Sequence, residues 1–180
     1  MLDEIRRIAS EAEIATAPAC HALWRRVVAL AEADTSSPPS AEVTYLAGYG
    51  LYCLVDVEPL VLEQAERWLK RAVALRPDHR FAQLYLAHIA FDDGRFEEAL
   101  VLLNSVPSDA FAAIDQRWRD LKVQELRICC LVQLSRLEAL GTAFERYLSI
   151  ARECDEMDFA TVHELPALIA SLVRRKDERP

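Results

Sequence analysis

A chain of 180 residues, 52% hydrophobic and 28% charged, has the composition of a globular protein and is long enough to bury one core. Its net charge of −8, with Lys and Arg dispersed, argues against a nucleic-acid backbone as ligand, and no window approaches the roughly 18 apolar residues of a membrane span. The five cysteines, an odd number without CxxC spacing, read as reduced thiols of a cytoplasmic protein rather than as a disulfide framework or a metal centre.

Only four glycines occur, strong helix formers dominate, and no stretch alternates with period two, so the chain reads as all helical. The N-terminus turns acidic at Asp3 and Glu4 and carries no apolar segment of the kind a secretory signal needs. Residues 2–15 and 18–34 are predicted as two amphipathic helices, forming a hairpin over 1–34. Leu2, Ile5 and Ile8 mark the apolar face of the first, and Leu23, Val27, Val28, Leu30 and Ala31 that of the second. The stretch Thr35-Ser36-Ser37-Pro38-Pro39-Ser40 breaks the helical pattern, and Ser40 is placed to cap a helix starting at Ala41.

From here the chain repeats. Tyr45-Leu46-Ala47 returns as Tyr85-Leu86-Ala87, 40 residues on, and Ala65 returns as Ala99, 34 residues on. The unequal spacing implies an insertion of six residues between Tyr52 and about Pro59. Asp92-Asp93-Gly94-Arg95 is the turn of the second hairpin, with Gly94 able to take a left-handed backbone. Arg76-Pro77-Asp78 and Val106-Pro107-Ser108 close the two units. A fainter third unit, over 108–154, pairs Ile128–Val132 with Ser135–Leu140, and its first helix is expected to run back through Trp118 toward Ala110. A final apolar helix over 156–176, with Pro166 in its first turn, is expected to cap the array.

Residues 41–107 resemble tetratricopeptide repeats. Leu86, Ala87, Gly94, Phe96 and Ala99 fill the family's positions in one unit, and Ala65, Ala72 and Pro77 do so in the unit before it, whereas Gln83 stands where an aromatic is expected. The resemblance implies a single all-α domain, 1–180, of antiparallel helical hairpins stacked in a short right-handed solenoid. It also implies a groove lined by the first helix of each unit. Carried onto this chain, the groove positions are Phe81, Leu84, His88 and Phe91, with Ala41, Thr44, Gly48 and Leu51 in the preceding unit. Tyr45, Tyr49, Tyr52 and Tyr85 flank them. Aromatic groups are efficient anchors for a partner polypeptide. The Lys and Asn residues with which chaperone-tail binders of this family clamp a carboxylate are absent.

A second candidate surface is acidic: Asp92, Asp93, Glu97 and Glu98, then Glu153, Asp155, Glu156 and Asp158, which together could steer a basic partner. No catalytic, cofactor-binding or metal-binding constellation stands out. There is no HExxH motif and no phosphate-binding glycine loop, and His163-Glu164 lacks a second histidine at helical spacing. The sequence therefore reads as a non-enzymatic module that binds another protein or peptide, without cofactor, nucleic acid or membrane, and compatible with a homodimer. The excess of Arg over Lys hints at a bacterial genome, where a short acidic array of this kind is expected to be an adaptor, a secretion chaperone or an immunity-type neutralising partner. The alternative is a ligand-sensing regulator or an enzyme with a small-molecule pocket between hairpins.

Overall fold

The computed structural model describes residues 1–36, 39–114 and 116–154. These form eight α-helices and contain no strand: α1 (Leu2–Ile14), α2 (Ala19–Glu32), α3 (Ala41–Tyr52), α4 (Leu62–Leu75), α5 (Arg80–Asp92), α6 (Phe96–Ser105), α7 (Arg117–Gln133) and α8 (Leu140–Ala151). The chain divides into two compact units, Met1–Leu86 and Ala87–Pro180, with the boundary inside α5. The expected capping helix over 156–176, with Asp155, Glu156, Asp158 and His163, lies outside the described residues.

In the first unit, apolar spacing decides which face each helix turns inward. Ile5, Ile8, Ala9 and Ala12 are the buried residues of α1, at the 3–4 residue interval that keeps one stripe together. Trp24, Val27, Val28 and Ala31 play the same part in α2. Ser40 caps α3 as expected, its hydroxyl accepting from the Val43 amide at 3.4 Å. Helix α3 is buried on nearly all sides, because α1 and α2 pack against it and α4 covers it as well.

Two glycines make that crowding feasible. A Cβ on Gly50 would meet the Trp24 ring at 3.2 Å, and one on Gly48 would meet Leu69 of α4 at 2.8 Å from Cγ and 3.0 Å from the backbone nitrogen. Gly48 therefore sits at the α3–α4 crossing. On α4 the inward stripe is Ala65, Leu69 and Ala72.

The six-residue insertion is an ordered turn rather than a loose loop. Leu54 is 2% exposed, its carbonyl accepts from the amides of Val57 and Glu58, and Arg25 of α2 holds the Glu58 carboxylate at 2.7 Å. Buried His79 then starts α5, its Nδ1 accepting from the Ala82 amide at 3.3 Å in the manner of an N-cap. Gln83, which stands where the repeat would place an aromatic, is also buried. Its amide donates to the Pro77 carbonyl at 2.6 Å and secures the α4–α5 turn.

In the second unit two hairpin turns share one geometry. Gly94 (φ 74°) follows α5 and Ser135 (φ 57°) follows α7, each in the left-handed region. The next amide reaches back five residues in both, Arg95 to Ala90 at 2.8 Å and Arg136 to Leu131 at 2.9 Å. The turn after α7 thus has the geometry of the turn after α5, built on serine instead of glycine.

Its first helix differs from expectation. Helix α7 begins at Arg117, and residues 108–114 form turns and a short 3-10 segment, Ala112–Ile114, instead of a helix running back to Ala110. The reason is local. Buried Asp120 accepts from the Phe111 amide at 3.2 and 3.3 Å, and Phe111 itself is fully buried, so the stretch is folded onto the first turn of α7.

Candidate functional site

The groove residues expected in the first unit come together as a continuous set of aromatic contacts on α3 and the start of α5. Tyr45 and Tyr49, one helical turn apart, stack at 5.8 Å with planes 6° apart. Tyr45 meets Phe81 at 5.6 Å, Tyr49 meets Tyr85 at 4.5 Å, and Tyr52 meets Tyr85 at 5.3 Å. Two residues that the sequence did not single out complete the set. Trp24 points its edge at Tyr49 from 5.0 Å, and the His79 ring lies 4.7 Å from Tyr45.

Burial divides the set. Tyr45 is 6% exposed and Tyr85 8%, so both belong to the core, whereas Tyr49, Tyr52 and Phe81 keep part of their surface open. Thr44, Gly48 and Leu84 are buried too. Thr44 donates its hydroxyl to the Ser40 carbonyl at 2.8 Å, and Gly48 is taken up by the helix crossing. The surface that could meet a partner is narrower than the sequence expectation, and the buried rings beneath it hold the open ones in place. Burial, and then the hydrogen-bonded Tyr85 beside it, push the Tyr49 hydroxyl far above its ordinary value, so it stays neutral.

Beside this face lies a charged cluster. His79 Nε2, 3.6 Å from Glu42, does most to hold that carboxyl below the usual range; Arg76 at 3.5 Å and Arg6 at 4.0 Å act in the same direction against the cost of burial. With His79 Nδ1 accepting from the Ala82 amide, Nε2 is the ring nitrogen that faces Glu42.

His88 and Phe91 belong to the second unit. Phe91 packs edge-on against Phe96 at 5.4 Å and helps close the α5–α6 turn. Burial, then the positive charges of Lys122 and Arg119, lower the His88 imidazole to about 4, so it is neutral at physiological pH. This shift has a consequence for stability. The unfolded chain binds a proton near pH 6.5 that the folded chain refuses until pH 4. Folding is therefore unaffected above pH 7.5 and loses ground as pH falls from about 6.5 toward 4. Urea titrations of wild type and His88→Gln at pH 7.5 and 5 are expected to differ in their pH response by about 2 kcal/mol, the wild type losing more. Equal responses would mean that His88 is accessible to protons.

The acidic surface is largely compensated. Arg95 pairs with Asp93 at 2.8 Å and with Glu98 at 2.6 Å, and Arg136 pairs with Glu97 at 2.7 Å. Among the described residues Asp92 alone of the four makes no ion pair; burial and then neighbouring Asp93 raise its carboxyl above the usual value. Glu153 is held by Arg117 at 2.5 Å. The adjacent Cys129 and Cys130 are buried thiols pushed up to about 11 and about 12, which leaves them unreactive at neutral pH.

Paired antiparallel helices with a recurring left-handed turn define an all-α repeat protein. The tetratricopeptide repeat family model matches residues 62–124, from α4 into the first half of α7. A solved structure described as "MamA RS-1 ArsTM double mutant" is similar at a TM-score of 0.59 and 18% identity, over 99% of this chain and 97% of that one. No curated protein matches the chain. At that identity the likeness carries the fold, and the chain is a tetratricopeptide-like helical-repeat protein. Among the described residues no helix is long and apolar enough to cross a membrane.

Proposed function

We propose that this chain is a non-enzymatic interaction module that holds another polypeptide against the aromatic face of its first unit. One observation carries the reading: Tyr49, Tyr52 and Phe81 are partly open and stand on a buried layer of Tyr45, Tyr85, Trp24 and His79. Rings fixed in advance lose little freedom when a partner covers them, which is the usual character of a binding hot spot. The repeat resemblance favours the same role, since stacked helical hairpins present extended surfaces to other proteins.

An adaptor or chaperone that grips a segment fits this surface better than a neutralising protein that covers a basic site with acid. Three of the four exposed acids at the α5–α6 turn are already paired to arginines, which weakens the field they could project.

The test is affinity capture from the native host with wild type beside a Tyr52→Ala/Phe81→Ala double variant. Capture of a defined partner is expected to fall by tenfold or more while the variant stays folded. Undiminished capture by a folded variant would move the binding surface elsewhere.

A further inference from the structure

The second unit contains a cavity of about 840 Å³ between α6, α7 and α8, with walls that include Leu100, Leu131, Thr142 and three arginines, Arg127, Arg136 and Arg146.

Their partners show how far the charge is met. Arg136 is paired with Glu97 at 2.7 Å. Arg146 is paired with Asp109 at 2.6 Å, and Arg117 shares that carboxylate at 3.2 Å while also holding Glu153 at 2.5 Å. Arg127 is different. It donates to the Gln124 side chain at 3.1 Å and to the Leu103 carbonyl at 2.5 Å, both neutral groups, and no ion pair to it occurs among the described residues. Three of these four arginines are thus tied to three carboxylates, and the positive charge of Arg127 remains. Neighbouring Arg146 and burial both work against the Arg127 charge, burial more strongly. The Nε atoms of Arg127 and Arg146 are out of reach of the cavity, as is that of Arg117 outside it, so the guanidinium hydrogens left to a ligand are those on the Nη atoms.

We propose that this cavity binds a carboxylate carried on a short aliphatic stem. The carboxylate accepts from Arg127 and Arg146, and the stem lies along Leu100 and Leu131. The single excess charge favours a monoanion over a phosphate dianion, and the flat fork of a guanidinium matches the two oxygens of a carboxylate. The site lies wholly in the second unit and does not depend on the aromatic face of the first.

Calorimetric titration of the full chain with hexanoate, hexanamide and inorganic phosphate tests the assignment. Hexanoate is expected to bind saturably, at least tenfold more tightly than hexanamide or phosphate, and at least tenfold more weakly to Arg127→Gln. Because Arg127 also supports the Leu103 carbonyl, Thr142→Glu serves as a second variant. It places a repelling charge at an exposed lining position and is expected to abolish binding in a protein with unchanged melting. Absent hexanoate binding, equal affinity for hexanamide or phosphate, or retained affinity in folded Thr142→Glu would each overturn the proposal.

Discussion

Ala99→Glu is expected to leave the second unit unfolded at 25 °C. Ala99 is fully buried on the inward stripe of α6, with Leu100 and Leu103, against which α7 packs. A glutamate there must either bury an unpaired carboxylate or push two helices apart, and either route costs more than about 4 kcal/mol. Total stabilities of small domains run to about 5–15 kcal/mol, so a loss of this size unfolds a unit at the lower end of that range. The control lies two residues away on the same helix. Val101 is 64% exposed, and Val101→Glu should change stability by no more than about 0.5 kcal/mol. Far-UV circular dichroism with urea titration separates the two variants. Cooperative, near-normal unfolding of Ala99→Glu would mean that the inward face of α6 has been misassigned.

Tyr85→Ala comes next in size, at about 3–5 kcal/mol. The residue is 8% exposed and its ring touches Tyr49 at 4.5 Å and Tyr52 at 5.3 Å. Truncation leaves a hole beneath the open rings and strips Tyr49 of its hydroxyl partner. Tyr85→Phe removes only that hydroxyl, so its loss should be nearer 1 kcal/mol. The pair separates packing from hydrogen bonding by chemical denaturation. A Tyr85→Ala protein as stable as wild type would show that the ring is surface, and the idea of a rigid layer under the aromatic face would fall with it.

What the sequence revealed was local. Ser40 directly before Ala41 announces its cap on the Val43 amide, and Gly94 between acidic residues and Arg95 announces a left-handed turn. The inward alanines, Ala65 and Ala99, stood out because a fixed period put them in register. Ambiguity entered where one residue type serves two purposes. A small residue on α3 suits a groove or a close helix crossing equally, and only the approach of Leu69 places Gly48 at the crossing. Tyr45 and Tyr85 show the same limit, since aromatic spacing on one helix does not say what covers the other side.

The features that sequence reading missed depend on residues brought together by folding. Phe111 and Asp120 are nine positions apart, and their hydrogen bond replaces the helix expected there with turns. His79 looks like a loop residue until its ring is seen against Tyr45 and its Nδ1 against the start of α5. Arg127 and Arg146 sit on different helices, with no motif linking them.

Amide hydrogen exchange on the protein alone, and bound to the partner it captures, tests the central claim most directly. The account predicts slower exchange in residues 41–52 and 80–86, the segments that carry the open rings, with the acidic turn at 92–98 little changed. Protection confined to that turn, or absent from both aromatic segments, would contradict it.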